Sequence, residues 1–151
     1  MIAVIQRVFN ACVYADGEFS GSIDKGLYIL LGVKKGDCED DASALAEKIS
    51  KLRIFSDENG KMNLSVKDIS GQALVVSNFT LNANYAHGNR PDYFNSAPPK
   101  EANELYEFFK SRLTDLGVPN QSGVFGADMR TEMSTDGPVT IVMDSDVLLK
   151  R

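Results

Sequence analysis

The chain has 151 residues, of which 43% are hydrophobic and 25% charged, and a formal net charge of −5. That length supports one domain with a real core. No stretch of about 18 apolar residues is present to span a bilayer, and the negative balance argues against a non-specific nucleic-acid binder. Cys12 and Cys38 lack C-x-x-C spacing and stand with a single histidine, His87, so there is no zinc pattern and no expected disulfide.

Ile2 to Val8 alternates and is rich in β-branched residues, which predicts a strand that starts the fold. It is too short and too alternating for a signal peptide, so a cytoplasmic location is expected. Ala11 to Tyr14 continues as a second short strand, and Asp16-Gly17 carries the turn signal of a hairpin. Gly26 to Val33 is a continuous apolar run and predicts a central strand. Asp40 and Asp41 open a helix with Ala42, Leu45, Ala46, Ile49 and Leu52 at helical spacing; Asp37, Glu39, Asp40 and Asp41 read as its solvated, acidic start.

Leu52 to Phe55 leads to a turn at Asp57–Gly60, and Ala73 to Leu81 predicts a buried strand that ends in polar residues. The stretch from Asn82 to Ala97 is a long loop of low apolar content, a length often tied to function. Pro98-Pro99 starts a second helix, whose buried stripe is Ala102, Leu105, Tyr106, Phe109, Leu113 and Leu116, with Gly117 as its C-terminal cap. Val118 to Gly123 reads as a connection. Strands follow to Met133 and over Pro138–Met143, and Asp146–Arg151 reads as a frayed tail. The fold expected is α+β in a single domain over residues 1–151: a strongly curved, barrel-like, mostly antiparallel or mixed sheet with two main helices.

The usual catalytic machinery is missing. There is no phosphate loop, no nucleophile elbow and no dinucleotide fingerprint. His87 lies in a Gly-containing loop and reads as solvent-exposed. Two polar stretches stand out instead. Ser77-Asn78-Phe79-Thr80 closes a buried strand, where backbone N–H groups leave the sheet ladder and become available to a carbonyl oxygen or oxyanion. Its plainer reading is strand-end capping. Gly137-Pro138, within Ser134–Thr140, places a rigid step at the start of a strand, and its plainer reading is a turn.

Ser77-Asn78-Phe79-Thr80 resembles the Ser-Gln-x-Thr signature of the D-aminoacyl-tRNA deacylases, and Thr135–Thr140 resembles their Asn-x-Gly-Pro-x-Thr signature. Met1–Val8, Gly88–Pro91 and Gly123–Met129 are similar to the same family, in order, up to about Asp144. The resemblance implies hydrolysis of the ester between a D-amino acid and the 3′ end of tRNA, and clearance of glycine from alanine tRNA. It implies a homodimer without metal or other cofactor, and neither a DNA nor a membrane partner. It places Ser77, Asn78, Phe79 and Thr80 at the reaction centre. Gly137 and Pro138, reaching in from the other subunit as a Gly-cis-Pro step, form a backbone wall that rejects L side chains. Arg7 holds that loop, and Phe125 and Met129 lie near the pocket for the terminal adenosine.

Thr80 is then a nucleophile or a positioning group; the lack of an evident base favours positioning. Asn78 stands where the family usually has Gln, so its partner must lie closer or be bridged by water, and Thr135 stands where Asn is usual. A related branch carries a trans Gly-Pro bond; Arg7 and Ser77 favour the cis branch. The alternatives are a non-catalytic RNA-binding module on the same fold, with Arg90, Lys100, Lys110, Lys150 and Arg151 as a basic rim, or another ester or amide hydrolase using Thr80 or Cys12.

Overall fold

The computed structural model describes all 151 residues. One strand, β1 (Ile2–Ala15), organises the sheet. Along one edge it pairs antiparallel with β8 (Met129–Asp144). Along the other it pairs first with β3 (Gly26–Gly32) and then with β2 (Glu18–Ile23). β6 (Gln72–Ser77) joins β3 in parallel, and β7 (Asn120–Ser122) joins β6 in parallel. The far strands then approach each other: the Ser20 hydroxyl on β2 donates to the Ser122 carbonyl at 2.9 Å. The sheet is therefore mixed, strongly curved and nearly closed, as the α+β reading expected. A hairpin of β4 (Phe55–Ser56) and β5 (Met62–Leu64) stands apart.

Alternation divides the core. Ala3 and Ile5 of β1, Leu27, Ile29 and Leu31 of β3, and Ala73 and Val75 of β6 face α1 (Glu39–Ser50) and α2 (Pro99–Asp115). The opposite faces bring Val8, Ala11, Val13, Tyr28, Leu74 and Val76 into a second cluster inside the curve. Each valine, leucine or isoleucine among them contributes about 1.5–3 kcal/mol when fully buried. The Asp16-Gly17 turn has positive φ at both residues, 50° and 84°, the geometry of a two-residue hairpin loop that follows strand twist. α2 ends in a Schellman arrangement: Val118 N–H donates to the Leu113 carbonyl and Gly117 N–H to that of Thr114.

Five expectations need correction. β1 is one continuous strand, because β8 pairs along nearly its whole length. β8 likewise runs through the Gly-Pro step, which is not a turn that launches a strand. β6 stops at Ser77, and Phe79–Asn82 form a 3-10 turn. Asn120–Ser122 inside the presumed connection forms β7, which the neighbouring β6 recruits despite its polar composition. The C-terminus is not frayed: α3 (Ser145–Leu149) buries Ser145 and packs Leu148 on the core.

The acidic start of α1 is also only half solvated. Asp37 accepts from the Met1 amino group at 2.8 Å and from Lys34 N–H at 2.6 Å. Asp41 is fully buried. It accepts from Cys38 N–H at 2.9 Å and from Arg151 at 3.2 Å. Burial pushes its carboxyl up, but those bonds and the Arg151 charge outweigh burial and hold it down at about 2. Glu39 and Asp40 remain exposed.

A carboxyl held below its unfolded value stabilises the fold above that value and loses the effect as pH falls through the folded one. Asp41→Asn is expected to cost roughly 1–2 kcal/mol at neutral pH, discounted because Arg151 is half exposed. The deficit shrinks as pH falls from about 4 to about 2. Urea denaturation of both proteins across that range checks it; a pH-independent deficit would assign the loss to packing.

Candidate active site

The strand ends and the long loop enclose one large pocket of about 610 Å³. Leu31, Val33 and Ser77 reach it from the carboxyl ends of the parallel pair β3 and β6. Asn78 and Phe79 continue that wall, and Phe125, Gly126, Ala127 and Met129 form another. Tyr106 of α2 lies between them, its hydroxyl donating to the Val75 carbonyl at 2.9 Å and its ring 5.8 Å from that of Phe125. Burial pushes the Tyr106 phenol well up, so it stays a neutral wall. Gly123 leaves room for the Met129 sulfur, which a side chain at 123 would meet.

Local chemistry shapes the wall after Ser77. Asn78 N–H still pairs with the Leu31 carbonyl at 2.8 Å, extending the ladder by one residue. Its side chain then caps the 3-10 turn: Oδ1 accepts from Thr80 N–H at 3.1 Å and from the Thr80 hydroxyl at 2.5 Å. The shorter side chain in place of Gln thus finds its partner two residues on, an Asx-type cap. The Thr80 hydroxyl proton is committed to an amide oxygen, which is not a general base. The Thr80 amide is committed to the same atom, so a carbonyl held at this turn would rely on the Phe79 N–H, one of the leading donors that such a turn leaves unpaired within itself. Phe79 packs edge-on against Tyr93, ring centroids 5.0 Å apart.

The Gly-Pro segment lies elsewhere. In the β1–β8 ladder Gln6 pairs with Thr140 and Val8 with Thr135, so Asp136 to Val139 all stand opposite Arg7 alone. The surplus residues bulge, leaving Gly137 and Pro138 exposed, and their peptide bond is cis. Arg7 is 8% exposed and holds the base of the bulge. Its Nε lies 3.1 Å from the Asp136 carboxylate, Nη2 donates to the other carboxylate oxygen at 3.2 Å, and Nη1 donates to the Ile54 carbonyl at 2.6 Å. Gly137 has φ +126°, and a Cβ there would sit 2.8 Å from Val139 N. Both backbone angle and space therefore demand glycine. Thr135, in place of Asn, is the last ladder partner before the bulge.

The structure therefore brings Ser77, Asn78, Phe79, Phe125 and Met129 to one pocket; Thr80, the next residue after Phe79, is exposed and does not line it. It does not bring Arg7, Gly137 or Pro138 to the pocket of the same chain. His87 is exposed, as expected. Of the basic-rim candidates, Lys110 is engaged with Glu107 and Ser122 and Arg151 with Asp41. Sequence reasoning missed Lys35, Tyr93, Ser96 and the pocket-facing role of Tyr106. The length of the 82–97 loop was the one signal for Tyr93 and Ser96.

Residues 4–144 match the family model described as D-Tyr-tRNA(Tyr) deacylase. A D-aminoacyl-tRNA deacylase of Persephonella marina is 53% identical over 148 residues, 98% of this chain and 100% of that one. Another from Geotalea daltonii is 51% identical over 145 residues, 96% of this chain and 97% of that one. Among solved structures, the c-Myc DNA Unwinding Element Binding Protein is similar at 36% identity, with a TM-score of 0.88 over 95% of this chain and 98% of that one. A probable eukaryotic D-amino acid tRNA deacylase shares the fold alone, with a TM-score of 0.81 at 12% identity over 95% of this chain and 98% of that one. Full-length identity above half, together with a family model spanning nearly every element of the sheet, shows that this chain belongs to the D-aminoacyl-tRNA deacylase family.

Proposed function

We propose that this protein hydrolyses the ester between a D-amino acid and the 3′-terminal ribose of tRNA, and the glycyl ester on alanine tRNA. The observation that carries the reading is the pocket: a family-matched chain whose Ser77–Phe79 wall faces Phe125 and Met129 across a mostly apolar cavity of about 610 Å³. That cavity suits an adenosine with an aminoacyl group. Water adds to the ester carbonyl, the bond from that carbon to the ribose oxygen breaks, and the oxygen leaves as the tRNA hydroxyl with a proton. The neighbouring ribose hydroxyl assists the water, so the protein mainly positions the ester and stabilises developing negative charge. The setting is the cytoplasm, where the substrate is, and the reaction needs no metal.

Chirality is read by rejection. Gly137 and Pro138 project on a bulge that Arg7 and Asp136 make rigid, and in a two-fold homodimer each bulge enters the partner's pocket. Their carbonyl groups hold the substrate's α-amino group, and the wall leaves no space for an L side chain. A steric wall discriminates further than any missing methylene in an apolar pocket. A second reading, a nucleic-acid-binding module without turnover, draws support from the name of the solved relative at 36% identity; the net charge of −5 opposes it.

With EDTA present, the protein is expected to release D-tyrosine from D-Tyr-tRNA and to leave L-Tyr-tRNA intact. Release of neither amino acid would favour the binding module. Thr80→Ala is expected to slow turnover by about 10²-fold, the scale of one lost positioning group, and to form no acyl-enzyme; a trapped aminoacyl-Thr80 ester in the wild type would make Thr80 the nucleophile. Sharing of the site is tested by mixing two defective chains. Ala127→Trp fills the pocket and Gly137→Ala disturbs the bulge. Each alone is expected to lose activity, and mixed dimers are expected to regain it toward half of wild type, because one site then combines an intact pocket with an intact bulge. No recovery on mixing, or a monomer of full activity by light scattering, would place the whole site in one chain.

A further inference from the structure

Lys35 is the one charged residue among the 17 that line the pocket. Its neighbour Lys34 is consumed structurally: the Lys34 ammonium bonds Asp144 at 2.8 Å and Asp146 at 2.5 Å. Burial works against that charge, and the two carboxylates outweigh it and hold the ammonium pKa up. Lys35 makes no ion pair and no side-chain hydrogen bond, and it is exposed at the rim. A free cation beside an apolar cavity, in a protein of net charge −5, is a place where a negatively charged ligand is attracted.

The Lys35 backbone is pinned to the long loop, its N–H donating to the Asn95 carbonyl at 2.9 Å. That contact ties it to the loop segment that carries Tyr93 and Phe94. Tyr93 is spent on the edge-on pair with Phe79. The Phe94 ring has no aromatic partner and is 77% exposed, although its backbone is fixed by the Phe94 N–H bond to the Asp92 carboxylate at 3.2 Å. The Ser96 hydroxyl ties the same loop to the Phe79 carbonyl at 3.2 Å. A bare aromatic ring on a loop that is bonded to the backbone of a residue with an unpaired ammonium is a combination that takes single-stranded nucleic acid: the cation meets a phosphate and the ring stacks on a base.

We infer that Lys35 and Phe94 hold the unpaired nucleotides that precede the terminal adenosine, Lys35 on a backbone phosphate and Phe94 on a base. The inference rests on the proposed function and extends it from the terminal adenosine to the single strand leading to it. These are binding residues, remote from the reacting ester.

The probe is a 5′-fluorescein single-stranded RNA of about a dozen nucleotides ending in CCA, followed by fluorescence anisotropy. Lys35→Glu and Phe94→Ala are each expected to weaken binding roughly tenfold. Lys35→Glu also flattens the dependence of log K on log salt by about 0.7, one phosphate contact on a single strand, and Phe94→Ala leaves that slope unchanged. Lys61→Glu, the same charge change on the exposed β4–β5 turn, is expected to bind as wild type. In turnover, both variants raise KM for D-aminoacyl-tRNA with kcat retained, and Phe94→Ala, outside the pocket lining, leaves hydrolysis of a D-aminoacyl-adenosine unchanged, because that substrate lacks the preceding bases. If wild type hydrolyses the tRNA substrate and both variants match it in binding and KM, the inference falls and the function stands. An equal loss with Lys61→Glu would likewise overturn it, by assigning the effect to net charge. If wild type hydrolyses neither substrate, the function falls, and the RNA affinities alone decide the inference.

Discussion

A guanidinium buried in a strand ladder is the constraint on which the arrangement turns. Arg7 sits where the β1–β8 pairing breaks, and three groups from distant parts of the chain satisfy it: the Asp136 carboxylate, the Asp136 carbonyl and the Ile54 carbonyl. A charge so far removed from water persists only when paired and hydrogen-bonded. Meeting that demand fixes where β8 leaves the ladder and how the connection after α1 lies against the sheet. The bulge then has no freedom to spread: its base is gripped by Arg7, and its tip holds a glycine at φ +126° with no room for a side chain. The ion pair supplies the rigidity that the exposed Gly137 and Pro138 cannot supply for themselves, which is what the proposed role of this bulge as a backbone wall requires.

The pocket follows from a different feature of the same sheet. β3 and β6 run parallel, so both open their carboxyl ends at the same rim. Irregular segments leave the ladder there and expose backbone groups, as at the ligand crevices of parallel sheets in general. The Asn78 cap turns the chain sharply after Ser77, and the loop over residues 82–97 returns along the rim, pinned to residues 33 and 35 by backbone bonds. The result is a cavity poor in titratable groups. In the proposed reaction such a cavity would act by position and by oriented dipoles, in keeping with a Thr80 hydroxyl that hydrogen-bonds to an amide and has no base beside it.

Much of this was legible in residue order. Helical spacing marked α1 and α2, the Asp16-Gly17 pair marked its hairpin, and the apolar runs marked β3 and β6, because these signals are local and the core agrees with them. The two polar motifs were legible as motifs, through their resemblance to a family. What escaped was decided by partners distant in sequence. Asn120–Ser122 has no strand character of its own and becomes β7 because β6 offers an unpaired edge. Asp37 and Asp41 looked like solvated helix-start residues until the Met1 amino group and Arg151 arrived beside them. The C-terminal residues form α3 for the same reason: the Asp144 side chain caps the first turn through Asp146 N–H at 3.1 Å, and Leu148 finds the core.

By itself, then, the order of residues determined the type of the main elements, β1, β3, β6, α1 and α2, the α+β class and the identity of the two motifs, since backbone propensity, periodicity and short-range capping act within a few positions. Tertiary structure alone decided that Ser77–Phe79 and Phe125–Met129 share one cavity, that the Gly-Pro bulge lies outside that cavity and is locked by Arg7, and that of two adjacent lysines Lys34 is bound while Lys35 is free. Those outcomes depend on contacts between segments more than 30 residues apart, whose pairing no local pattern encodes.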